Sequence, residues 1–205
     1  MEKEGIEYIY YNTEDDNVTL IDFKNDINKD INDEIINIFI KKIRCDYIEP
    51  VEKLMGEFPE EKYVYSISLL LVSCLDTLSY YNSKEKSLKN EEKYTARKNY
   101  TNFLSTNFYK LLETESIGRF YDEFRSKIIH QNSTSFLIGY MPIENDECFE
   151  IERVGTKGKE KKIIKVNLKN LKETIKMIID NYSLELKKKE ESFKIFSEVI
   201  KNIYR

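Results

Sequence analysis

The chain of 205 residues is 40% apolar and 34% charged, enough for one buried core beneath a well-solvated surface. Its formal net charge of −4 removes any global electrostatic drive toward nucleic acid or an anionic membrane, so phosphate binding would need a local patch. Six glycines and three prolines are too few breakers for a many-turned β fold.

Residues 1–25 form a first segment. Its runs 5–12 and 17–23 are rich in Ile, Tyr, Val and Thr and flank Glu14-Asp15-Asp16, the pattern of a hairpin. Residues 26–205 read as one helical domain. Ile31, Ile35, Ile38 and Ile43 recur at helical spacing and predict a helix over 31–56, capped by Asn28 or Asp30. Pro50 predicts a break or kink within it, and Gly56 its end. Pro59-Glu60-Glu61 puts proline and acid in a first turn, predicting a helix over 60–81 and then a polar loop over 82–90. Tyr94, Arg97, Tyr100, Phe103 and Phe108 predict a helix over 92–113. Ile117, Phe120, Phe124 and Ile128 make the core stripe of another over 116–131.

Strand-forming residues then gather at Ser135–Tyr140, Cys148–Val154 and Ile163–Val166, predicting a small antiparallel β insert at about 135–167. Helical spacing returns through Leu171, Ile175, Tyr182 and Leu186 and resumes at Phe193, Phe196 and Ile200. Between them lies the charged run Lys187–Glu191, so this is either one long helix or two bent at that run. The fold class is mainly α: a helical bundle with a small antiparallel β insert before a long C-terminal helix.

The apolar run from Tyr63 to Tyr81 carries Ser66, Ser68, Ser73, Asp76 and Thr77, too polar for a lipid-facing span. It reads as a buried central helix, and no membrane partner is implied. Met1 to Gly5 leads into mixed polar sequence without an apolar stretch of signal-peptide length. Cys45, Cys74 and Cys148 are odd in number and lack CxxC spacing. They read as buried structural thiols in a reducing cytoplasm, with no disulfide or zinc framework and no cofactor.

His130 is the chain's one histidine, five positions after Arg125 in Phe120-Tyr121-Asp122-Glu123-Phe124-Arg125-Ser126-Lys127-Ile128-Ile129-His130. Neutral-pH proton transfer by imidazole must therefore use His130. On an ideal helix Ser126 and His130 share a face, while Arg125 and His130 stand about 140° apart. The long stem of Arg125 can still bring its guanidinium round to a shared cleft. Asp76, a carboxylate within an apolar helix, must be paired, exposed at the bundle edge or functional; Arg125 or a helix terminus is the expected partner.

Arg125-Ser126-Lys127-Ile128-Ile129-His130 resembles the arginine–histidine motif of HEPN domains, an all-α superfamily associated with nucleotides and RNA. The stretch Tyr121–His130 is similar to segments of the form LYExFRxGLxH in bacterial proteins, and Leu75–Tyr81 to the helix that precedes them. The resemblance spans roughly residues 35–200. It departs at Ser126, where Asn, Asp or His is common, and at Lys127, where a glycine is.

The resemblance implies a metal-independent endoribonuclease working as a homodimer, in a toxin or phage-defence setting. In that role His130 would take the proton of a ribose 2′-hydroxyl and Arg125 would stabilise charge on phosphorus. Ser126 would orient the imidazole or bind phosphate. The alternative is a non-catalytic HEPN-like module that binds RNA, a nucleotide, an antitoxin or another protein. Tyr121 and Tyr81 can stack on bases or simply pack at the core boundary. Lys127 and the basic run of Lys157, Lys159, Lys161, Lys162 and Lys165 are candidate phosphate contacts, although the run reads more readily as a solvated hairpin tip.

Overall fold

The structure, a computed structural model, describes residues 9–12, 17–19, 33–57, 63–90, 96–108, 114–131, 137–139, 148–155 and 161–204. Near the start, β1 (Ile9–Asn12) and β2 (Asn17–Thr19) pair antiparallel, as the two strand-forming runs predict. The first helix, α1 (Asp33–Ile43), buries Ile35, Ile36, Phe39 and Ile43, the three-and-four spacing that defines one apolar face.

No break follows at Pro50. The chain instead passes through a π turn, Arg44–Ile48, into α2 (Glu49–Glu57), with Pro50 inside the helix and Gly56 not ending it. The reason is geometric. A proline in an α-helix has no N–H to donate, and its ring strikes the carbonyl four residues back. Here the preceding turn is widened, with the Glu49 N–H bonding the Arg44 carbonyl five residues back. That extra residue per turn gives the proline ring room.

The central helix α3 (Val64–Asn90) packs against α2, the first π turn and four of the five later helices among the described residues: Ala96–Asn107, Ser126–Gln131, Leu168–Lys188 and Glu190–Tyr204. Its stretch Val64–Tyr81 is apolar enough by length and composition to cross a membrane, yet 56% of it is buried inside the protein. The predicted loop over 82–90 is helical. Asn82–Asn90 contains neither glycine nor proline and includes Lys, Glu and Leu, so the helix propagates from its anchored half. The Pro59–Glu61 start and the predicted cap at Asn28 or Asp30 lie outside the described residues.

Helix α4 (Ala96–Asn107) occupies the middle of the predicted 92–113, the rest of which is largely outside the described residues. The predicted 116–131 helix is present in three parts: α5 (Thr114–Arg119), a second π turn (Phe120–Arg125) and α6 (Ser126–Gln131). Its stripe of Ile117, Phe120, Phe124 and Ile128 is buried as predicted.

Three strands follow: β3 (Leu137–Gly139), β4 (Phe149–Val154) and β5 (Lys161–Asn167). They lie in the order β3-β5-β4, with β4 antiparallel to β5 and β3 parallel to it. The antiparallel pair is the predicted one, while the parallel edge makes the sheet mixed. Phe149 drives the sheet into the bundle, its ring 5.1 Å from Phe120 and 5.8 Å from Phe108. Gly155 closes β4 at φ 133°, a conformation that favours glycine.

Helices α7 (Leu168–Lys188) and α8 (Glu190–Tyr204) resolve the C-terminal choice in favour of two helices. Asn167 caps α7 by accepting the Asn170 N–H at 3.1 Å. The break is one residue wide: Lys189 is extended, gives its N–H to the Glu185 carbonyl and accepts the Phe193 N–H. Phe39 meets Tyr81 at 4.6 Å and Phe196 at 4.9 Å, joining α1, α3 and α8. Cys74 and Cys148 are buried, but Cys45 is only partly so, because the first π turn carries it to the edge. Burial, then the hydrogen bond and charge of Glu49, push the Cys45 thiol up to about 11.

A candidate phosphate site at the second π turn

The second π turn is held from both sides by an arginine–aspartate fork. Arg125, its last residue, donates from Nε to Asp76 Oδ1 at 3.3 Å and from Nη2 to Asp76 Oδ2, tying the turn to α3. Asp122, three residues earlier, accepts from Arg97 Nε at 2.9 Å and Nη2 at 2.8 Å, tying the turn to α4. Gly118 makes room for this second fork, since a Cβ there would lie 3.3 Å from Arg97 Nη2.

The two forks stand in different surroundings. Arg125 and Asp76 keep 15% and 29% of their side-chain exposure, Arg97 and Asp122 56% and 52%. Burial alone would lower the Arg125 pKa, but the hydrogen bonds and charge of Asp76 outweigh it and hold the guanidinium above its ordinary value. Arg125 is therefore a permanent cation. The Asp122 carboxyl lies below its usual range because Arg97 hydrogen-bonds its charged form.

Asp76 takes the Nε side of the Arg125 fork. A guanidinium has five N–H donors, so the Nη1 end keeps its pair free of any partner among the described residues. Tyr121 covers one face of the guanidinium, its ring centroid 5.2 Å from Cζ, and meets Tyr100 edge-on at 5.4 Å. Tyr100 is fully buried, and its hydroxyl has no hydrogen-bond partner among the described residues. Burial, followed by the charge of Asp76, pushes its pKa well up, so the phenol stays protonated at any working pH.

Beside Asp76 lies an open groove of about 470 Å³, lined by Tyr47, Ser73, Asp76, Thr77, Tyr80 and Tyr81. Thr77 Oγ1 donates to the Ser73 carbonyl at 2.9 Å, so its contact with the Tyr47 hydroxyl, also 2.9 Å, has tyrosine as donor.

Of the residues singled out in the sequence, Arg125, Asp76 and Tyr121 meet here. Tyr121 packs at the core boundary against Tyr100 and Arg125, and Tyr81 packs against Phe39. Ser126 and Lys127 begin α6 and are half-buried. His130 is one turn after Ser126 in α6, but the position of its imidazole lies outside the described residues. Lys157 and Lys159 lie outside them altogether, and Lys161 and Lys162 are placed on β5 by backbone alone. Lys165 is engaged by Glu152 at 3.0 Å and Glu150 at 3.5 Å, which removes it from the basic run as an independent cation. Among the described residues no cluster of three His, Cys, Asp or Glu comes together. Sequence reasoning missed Arg97, Gly118 and Asp122, whose spacing of about a helix-turn-helix carries no recognisable motif.

Comparison with protein-family models, with curated proteins and with solved structures finds no match for this chain.

Proposed function

We propose that the chain is a HEPN-like, metal-independent endoribonuclease that acts as a homodimer in the cytoplasm, in a toxin or phage-defence setting. The observation that carries this reading is the side-on grip of Asp76 on Arg125. It fixes a permanent guanidinium with its Nη1 end available, on the helical stretch that also holds the one histidine. A bidentate donor of this kind suits the equatorial oxygens of a phosphate under attack.

In the proposed reaction His130 accepts the 2′-hydroxyl proton as the 2′-oxygen bonds to phosphorus. The bond from phosphorus to the 5′-oxygen breaks, and that oxygen takes a proton from His130 of a second copy. The products are a 2′,3′-cyclic phosphate and a 5′-hydroxyl. One histidine per chain cannot serve both proton transfers in one pass, hence the homodimer. Ser126, one turn before His130, is the group to orient the imidazole.

A second reading has one observation in its favour. The Arg125–Asp76 pair carries no net charge, which weakens its pull on phosphate and suits a non-catalytic module binding RNA, a nucleotide or a protein partner such as an antitoxin. Incubating the purified protein with structured and unstructured RNA in EDTA separates the two. The nuclease reading expects cleavage with cyclic-phosphate ends, lost in His130→Ala and Arg125→Ala; the module reading expects RNA retention without new ends.

A further inference from the structure

We infer that the groove beside Asp76 is a nucleobase subsite selective for bases that carry an amino group. This rests on the reading of Arg125 as a phosphate group's partner and adds to it the part of the nucleotide that the rest of the site would recognise. At about 470 Å³ the groove is of the size that holds a small aromatic ligand. Tyr47, Tyr80 and Tyr81 supply aromatic walls, and the half-buried Tyr80 stands at 90° to Tyr81, which fixes its ring. Rigid aromatic walls of this kind favour a flat π system.

The polar lining points to what that ring must carry. Burial, the larger influence, raises the Tyr47 pKa, so its hydroxyl keeps its proton, and that proton goes to Thr77. The Thr77 proton goes in turn to the Ser73 carbonyl. With their protons used, both hydroxyls have only lone pairs left to offer a ligand in the groove they line. Asp76 adds a carboxylate, of which Arg125 uses one bond to each oxygen and leaves the other lone pairs. Tyr47, Asp76 and Thr77 thus form an acceptor face of the groove, and the part of a ligand that lies against that face must donate. A free cation is disfavoured, because Arg125 cancels the charge of Asp76 at contact distance. A neutral ring with an exocyclic amine, joined to a phosphate that reaches the Nη1 end of Arg125, satisfies both halves. Guanine, adenine and cytosine have that amine. Uracil has no exocyclic amine, only an N3–H flanked by two carbonyls that would meet the same acceptors, and is the poorer ligand.

Calorimetric titration of the full-length His130→Ala protein with GMP, AMP, CMP and UMP, and with guanosine and cytidine, tests this without interference from cleavage. The three amino-bearing nucleotides are expected to bind about 10-fold tighter than UMP, and Tyr80→Ala to weaken GMP binding by about 10-fold. Tyr80→Phe, which keeps the ring, should hold GMP affinity and guards against a folding failure. Equal affinity for UMP and GMP, no binding of any nucleotide at millimolar concentration, or an unchanged Tyr80→Ala would each overturn the subsite. Base selectivity that persists while guanosine binds as tightly as GMP would keep the subsite and remove Arg125 from phosphate binding.

Discussion

The same side-on arginine–aspartate fork occurs twice on the second π turn, once half-buried and once in solvent. Arg125–Asp76 reaches α3 and is partly withdrawn from water; Arg97–Asp122 reaches α4 and stays exposed. Chemistry and geometry match, so any difference in consequence comes from surroundings. In water the pair's attraction is screened and ordering two side chains costs nearly as much as it gains. Partly buried, each partner has lost hydration it cannot recover if the other is removed.

The largest effect should come from removing the half-buried cation. Arg125→Ala leaves the Asp76 carboxylate partly desolvated beside the buried Tyr100 and is expected to cost about 2 kcal/mol in urea unfolding. If the nuclease reading is right it also lowers RNA cleavage by about 100-fold or more. Asp76→Asn in the Arg125→Ala background should restore most of the lost stability and none of the cleavage. A single-mutant cost no larger than that of Arg97→Ala would erase the comparison.

A smaller and opposite effect is expected at Gly118. Alanine gains about 1 kcal/mol over glycine in a helix interior. The new Cβ would press only on the far end of the exposed Arg97 side chain, which can move aside. Gly118→Ala is therefore predicted to stabilise by roughly 0.5 kcal/mol in the same unfolding assay. A loss of stability would mean that the Arg97 fork is held more firmly than its exposure implies.

The smallest effect belongs to the exposed fork itself, and its sign with pH is fixed. The Asp122 carboxyl is lowered in the folded protein, so below its unfolded pKa the unfolded chain binds more protons than the folded one. Whatever Asp122 contributes is complete above about pH 5 and fades as pH falls through its folded value. The stability difference between wild type and Asp122→Asn should therefore shrink toward zero in acid and in high salt. NMR titration of the Asp122 carboxyl, shifted upward in Arg97→Ala, checks the cause.

Comparing the two π turns explains what the sequence could and could not disclose. Pro50 announces that something must yield near Arg44–Ile48, and the apolar spacing of Ile35, Phe39 and Ile43 announces the helix around it. Which way it yields, by a break or by a wider turn, depends on packing against α3 and is not written locally. At Phe120–Arg125 no proline or glycine marks the turn, and the stripe of Phe120, Phe124 and Ile128 reads as plain α-helix. The Asp76–Arg125 pairing was legible because a carboxylate in an apolar helix needs a partner. Arg97–Asp122 was not, because exposed charges make no such demand. The helical tail of α3 was missed for a related reason: a polar run without breakers follows whatever it is attached to.

The central claim is that Arg125, positioned by Asp76, and His130 act on one phosphodiester. The most direct measurement is cleavage of a defined RNA in EDTA by the wild type, Arg125→Ala and His130→Ala, with end-group analysis of the products. The account predicts 2′,3′-cyclic phosphate ends from the wild type and none from either variant. Cleavage that persists in His130→Ala, or a folded wild type that cuts no RNA, would contradict it.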